Sequence, residues 1–207
     1  MYSEKPSGSG RMTGKTNTVA QRWRELSGEN KWEGLLDPLD SDLRQYLTHY
    51  GEMAQATYDA FNSEQASNYA GSSRYARRNL FPKVGLGRFK PFLKYEVVRY
   101  FYATSQISLP EAFILTSFSK EAWCKESNWM GYIAVATDEG KAVLGRRDIV
   151  IAWRGTIQVS EWFKDFEFPL VSASGVFGDG KDPKVHHGWL SLYTSADPGS
   201  SFSQDSV

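Results

Sequence analysis

At 207 residues, with 41% hydrophobic and 14% aromatic content, the chain carries enough apolar side chains for one sizeable core and does not have the composition of a disordered protein. Lys plus Arg equals Asp plus Glu at 24 each, so no global charge points to nucleic acid or to a membrane, and any such binding has to be local. The single cysteine, Cys124, excludes an internal disulfide and reads as an ordinary packed thiol that suits a reducing compartment.

Residues 1–22 mix Gly, Ser, Thr, Lys and Arg with almost nothing apolar, and are expected to form a disordered leader. No hydrophobic segment of signal-peptide length follows Met1, and no apolar run reaches the ~18 residues of a membrane-spanning helix. The expectation is a soluble cytoplasmic protein, with a plastid location as the alternative because the leader is basic and rich in Ser and Thr. Ordered structure is expected from about Trp23. A helix follows over residues 40–61: Asp40 or Ser41 caps it, and Leu43, Leu47, Tyr50, Ala54, Thr57 and Phe61 recur at three- to four-residue spacing. Gly51 weakens its middle by about 1 kcal/mol relative to alanine without ending the stripe. His49 falls one position off that stripe and reads as a flank residue rather than a catalytic base.

Residues 74–99 hold eight Lys or Arg against one acid, Glu96, with Tyr75, Phe81, Phe89, Phe92 and Tyr95 interleaved. Such a mixture suits an anionic lipid surface, or stacking on single-stranded nucleic acid; a solvated loop with a few buried rings is the simpler reading and is preferred. "GLGRFK" does not complete a GxGxxG and no ribonucleoprotein motif occurs, so nucleic acid is the weakest of the three. Strands come next, in "AFILTSF", in "WMGYIAVA" before the turn signal Asp138-Glu139-Gly140, and in "DIVIAW" from Asp148. The last of these is apolar at every position from Ile149 to Trp153, the pattern of a strand covered by helices on both faces, and it points to an α/β architecture. The closing "SADPGSSFSQDSV" reads as loop.

In "WRGT", Gly155 lets the backbone turn, and Thr156 presents an N–H and a hydroxyl at the carboxyl end of a buried strand, where open α/β sheets place their ligands. Two such donors can hold the oxyanion of an acyl-transfer intermediate, although Arg-Gly-Thr after a strand also occurs as a plain turn. His186 and His187 make a poor metal site because adjacent side chains diverge and no paired ligand motif flanks them; no metal or cofactor is expected.

The line "IVIAWRGTIQVSEWFKDFEF", followed by "KVHHGWLSLYTS", resembles the class 3 (fungal-type) lipase family of the α/β-hydrolase fold, and within it the plant phospholipase A1 branch, which hydrolyses the sn-1 acyl ester of glycerophospholipids. "WEGLLDPLDSDLRQYLTHYGEMAQATYDAFN", "YFYATSQI" and "SNWMGYIAVATDEG" extend the likeness over most of the chain from Trp23 to Ser195. By that resemblance Thr156 is the oxyanion-hole residue after the third strand. Residues 157–168 take the place of the lid, opening on Ile157, with Trp162, Phe163 and Phe166 suited to covering an acyl groove or meeting lipid; plain core residues would read the same. His186, Gly188 and Trp189 match the family's HxGW element, which is structural. The implied partner is a glycerolipid or phospholipid, met in transient membrane-surface contact, with no nucleic acid.

Acyl hydrolysis on this fold requires a serine on a Gly-x-Ser-x-Gly elbow, then an aspartate, then a histidine. None of the 207 residues forms a Gly-x-Ser-x-Gly. The expectation is therefore an α/β-hydrolase domain over residues 23–207 that stops before its nucleophile elbow: a fragment or truncated form, inactive alone. A non-catalytic lipid-binding or regulatory lipase relative is the alternative. The strand at 149–153 should then lack its elbow-strand partner, and an unpaired apolar edge favours aggregation.

Overall fold

The structure is a computed structural model and describes residues 18–86, 94–104, 118, 128–155 and 169–196. Helix α1, Val19–Leu26, starts ahead of Trp23, so order begins earlier than the composition of the leader suggested. Its register explains this: Arg22 reaches Glu25 at 3.1 Å, Asp40 at 3.1 Å and Asp42 at 2.6 Å, tying α1 to the start of the next helix. That helix, α2, spans Ser41–Ala60. Asp40 caps it by accepting from the N–H groups of Asp42 (2.9 Å) and Leu43 (3.0 Å). The Leu43 N–H first, and then Arg22, hold the Asp40 carboxyl below its ordinary value.

The buried face of α2 is Leu43, His49, Met53, Ala56, Thr57 and Ala60. Leu47, expected on the inner stripe, is 55% exposed, while His49 lies inside, with Nε2 3.3 Å from the Tyr95 hydroxyl. The helix is rotated from the simple apolar stripe because its inner side also meets a polar cluster, described below.

Three antiparallel strands follow in the order β1 (Tyr95–Ala103), β2 (Asn128–Ala136) and β3 (Ile149–Trp153). Strand β1 corrects the loop reading of residues 74–99, which also contain a 3-10 turn, Arg77–Asn79, and helix α3, Leu80–Lys83. Its charged residues hid a period-two pattern in which Tyr95 and Val97 face inward. The Asp138-Glu139-Gly140 signal is likewise not a turn but the first turn of helix α4, Asp138–Leu144, where Thr137 accepts from the Gly140 N–H at 3.2 Å and two acids suit the helix N-terminus. Gly145 ends α4 with φ 77°, and a Cβ there would stand 2.2 Å from the Ala20 carbonyl oxygen, so glycine is what lets α4 lie against α1.

Helix α2 covers one face of the sheet. Met53, Leu80, Trp129 and Tyr132 are each 0% exposed there, and the Tyr132 hydroxyl donates to the Met53 carbonyl at 2.7 Å. Val150 and Ala152 of β3 join this face. Ile149, Ile151 and Trp153 point the other way and are 64%, 57% and 40% exposed. The two-sided cover read from the apolar run is therefore filled on one side only among the described residues, and all the strand pairings there are antiparallel. A small second sheet pairs β4, Leu170–Ser172, with β5, Lys184–His186; helix α5, Ser174–Phe177, lies between them in sequence and helix α6, His187–Thr194, follows.

Thr156, Ile157, Trp162, Phe163 and Phe166 lie outside the described residues, as do Cys124, Phe89, Phe92 and the strand expected at 112–117. Among the described residues no helix is long and apolar enough to cross a membrane, and no group of three or more His, Cys, Asp or Glu is arranged to hold a metal ion.

Candidate active site at the end of strand β3

Strand β3 is fastened at both ends. At its start, Asp148 Oδ2 accepts from the Tyr50 and Tyr95 hydroxyls, each at 2.6 Å, while Oδ1 accepts from Arg146 Nε at 3.3 Å and Nη2 at 3.2 Å. Arg146 Nη2 also meets the Tyr46 and Tyr50 hydroxyls at 2.5 and 2.9 Å, and its guanidinium lies 4.9 Å from the Trp23 ring centroid. Burial, and then the bond to Asp148, push the Tyr50 and Tyr95 phenols well above their ordinary value, so both stay protonated and act as donors. This cluster joins α1, α2, β1 and β3 through one carboxylate.

At its end stands Arg154, 2% exposed. Its main-chain N–H donates to the Met130 carbonyl at 2.6 Å, Nε to the Trp129 carbonyl at 3.1 Å, and Nη1 forward to the Gly155 carbonyl at 3.0 Å. The guanidinium also packs 4.1 Å from the Phe61 ring centroid, a cation–π contact. Burial lowers the Arg154 pKa to about 10, offset in part by Tyr58, which leaves the side chain charged at neutral pH. Gly155 meets Tyr58: a Cβ on Gly155 would lie 2.0 Å from the Tyr58 hydroxyl, so alanine here would drive that ring out of its place beside the turn. The contact is with the far end of a side chain that is 46% exposed, so this close approach favours glycine without requiring it. Strand β3 is thus held at both ends, from Asp148 to the Arg154–Gly155 turn.

Beside the turn, on the open face, Trp153, Val176, Phe177, Val185, Trp189 and Tyr193 border an apolar groove of about 550 Å³. His186 caps α6 by accepting from the Gly188 N–H through Nδ1 at 3.1 Å, a structural contact within the HxGW element.

Residues 150–204 match the profile of the class 3 lipases. Over that segment the chain is similar to that lipase family. It is 59% identical over 192 residues to phospholipase A1-IIbeta of Arabidopsis thaliana, a stretch that covers 91% of this chain and 46% of that protein. Arabidopsis phospholipase A1-IIgamma is 54% identical over 190 residues, covering 91% of this chain and 45% of the relative. Phospholipase A1-II 6 of Oryza sativa subsp. japonica is 56% identical over 190 residues, covering 91% and 46%. The chain spans about half the length of these curated relatives. The class 3 lipase match implies an α/β-hydrolase fold, with which helices packed on β-sheet are consistent.

The sequence drew attention to Thr156 but not to Arg154, Tyr58, Phe61 or the Asp148 cluster. One signal was available: an arginine ending an otherwise apolar strand has to find buried acceptors, and Arg154 finds them in backbone carbonyls.

Proposed function

We propose that this chain supplies the oxyanion and lid side of a lipid acyl hydrolase of phospholipase A1 type, acting on the sn-1 ester of glycerophospholipids at a membrane surface, with the cytoplasm as its location and the plastid as the alternative. The observation that carries the reading is the Arg154–Gly155 turn, clamped to β2 and Phe61 at the end of β3, inside the segment that matches class 3 lipases. A serine would attack the ester carbonyl. The Thr156 N–H and hydroxyl would then receive the developing oxyanion, an interaction of the kind worth about 100- to 1000-fold in rate. Ile157, Trp162, Phe163 and Phe166 would close over the acyl chain and exclude water. The 207 residues hold no Gly-x-Ser-x-Gly, so the reading assigns them no nucleophile, and the serine is to be sought in the rest of the relatives' length.

The test is a chimera in which this chain replaces the 192 residues it matches in Arabidopsis phospholipase A1-IIbeta, assayed on phosphatidylcholine labelled separately in its two acyl chains. Release of the sn-1 fatty acid is the expected result. A folded chimera that releases only the sn-2 acid, or neither, would overturn the reading.

A further inference from the structure

A second cleft, of about 680 Å³, opens among the loop after α2, the 3-10 turn and the second half of β1. Its chemistry differs from that of the apolar groove. Arg74 and Arg77 line it together with Tyr69, Tyr75, Tyr100 and Tyr102, and no carboxylate does so among the described residues. Each guanidinium is held by one backbone carbonyl: Arg74 Nε donates to Phe61 O at 3.0 Å, and Arg77 Nη1 to Val98 O. Neither forms an ion pair among the described residues. An arginine has five N–H donors in a rigid fork, so each keeps donors for a ligand, and the fork matches the oxygens of a phosphate. The phenols are organised around them: the Tyr100 hydroxyl donates to the Tyr75 carbonyl at 2.9 Å, while Tyr69, 59% exposed, stands at the rim.

Two fixed cations with no acid beside them call for an anion. Four aromatic rings call for an apolar or glyceryl portion attached to it, which inorganic phosphate lacks. Among the described residues of 74–99, Arg74, Arg77, Arg78, Lys83, Lys94 and Arg99 stand against one acid, Glu96. A cleft of this volume suits a single headgroup, whereas single-stranded nucleic acid needs a track several nucleotides long. Phe61 connects the cleft to the β3 turn: its carbonyl holds Arg74 and its ring holds Arg154.

We propose that this cleft binds the phosphate group of an anionic glycerolipid headgroup and so holds the protein on a lipid surface. The proposal needs no ester cleavage and stands apart from the catalytic reading, because its test is binding alone.

The experiment is flotation of the 207-residue protein with phosphatidylcholine vesicles, with and without phosphatidic acid, on a gradient that leaves aggregated protein at the bottom. Binding is expected to be several-fold tighter when phosphatidic acid is present. Arg74→Gln/Arg77→Gln is expected to weaken it roughly thirtyfold, and Arg77→Gln alone, on an exposed side chain that a folded protein can lose, roughly fivefold. Arg44→Gln, which removes an exposed cation of α2 outside the cleft, is expected to leave binding unchanged. Tyr69→Ala is expected to weaken vesicle binding. Inorganic phosphate at matched ionic strength should displace little protein; full displacement would identify a soluble phosphate compound, rather than lipid, as the ligand of the same two arginines. Equal binding with and without phosphatidic acid, equal losses from Arg44→Gln and Arg77→Gln, or full competition by a single-stranded oligonucleotide would each overturn the proposal.

Discussion

The two faces of the β1–β2–β3 sheet are finished to different degrees. Under α2, Met53, Leu80, Trp129 and Tyr132 are each 0% exposed, and the polar atoms at the edge of that core converge on Asp148. On the opposite face, Leu192 and the Phe101 ring, 4.4 Å from that of Trp153, cover part of the sheet, yet Ile149, Ile151 and Phe177 remain 64%, 57% and 68% exposed. The continuous apolar run of β3 encodes cover on both sides, and the described residues supply one. Stability should accordingly depend on the α2 face, while the open face holds surface that a further layer of protein would bury.

The largest effect is expected from Asp148→Ala. It leaves the Tyr50 and Tyr95 hydroxyls without their acceptor and Arg146 without its counter-ion, although Arg146 Nη1 already has no hydrogen-bond partner among the described residues. A loss of about 3–5 kcal/mol in urea unfolding is expected. Met53→Ala, which empties the centre of the core, should cost about 2–5 kcal/mol by the same measurement. Tyr132→Phe removes one buried donor and leaves the Met53 carbonyl unpaired by it, with an expected cost of about 1 kcal/mol.

Alkaline pH should sharpen the same contrast. Burial raises the phenols of Tyr50, Tyr95 and Tyr132, so the stability they contribute is complete below the unfolded value near 10 and is lost as pH rises from there towards the folded values. Arg154 acts in the opposite sense. Its pKa is held down to about 10, so above that pH the folded state sheds the proton before the unfolded chain does, and this one group gains stability. Three groups against one predict melting temperatures that fall above about pH 10 in thermal melts; a flat profile there would show that the phenols are not buried in solution. The smallest effect is expected from Ile151→Ser on the open face, within about 0.5 kcal/mol. A cost as large as that of Met53→Ala would mean that something covers this face.

Much of the fold was legible where local signals are strong. The Asp40 cap and the helix over residues 40–61, the strand in "WMGYIAVA" and the strand from Ile149 each follow from spacing within a short window. The errors have local causes too. In β1 the charged positions masked an inward alternation, and in α4 an acidic helix start was indistinguishable from a turn until Thr137 was seen to cap it. The site was less legible because its contacts are long-range. The acceptor that fastens the start of β3 draws its phenols from 98 and 53 residues away, and Arg154 finds the Trp129 carbonyl 25 residues back. No window of sequence contains those meetings. Thr156 was read from its place after Gly155 as well as from family resemblance, the lid residues Ile157, Trp162, Phe163 and Phe166 from their family place, and all lie outside the described residues.

The central claim is that β3 and its Arg154–Gly155 turn deliver Thr156 to an oxyanion. It is tested most directly by the turnover of the chimera with Arabidopsis phospholipase A1-IIbeta before and after Thr156→Ala, on phosphatidylcholine vesicles. The account predicts that kcat for sn-1 fatty-acid release falls about 100- to 1000-fold while KM changes little, because the lost interaction is made only in the transition state. An unchanged kcat in a chimera that melts like its parent would contradict it.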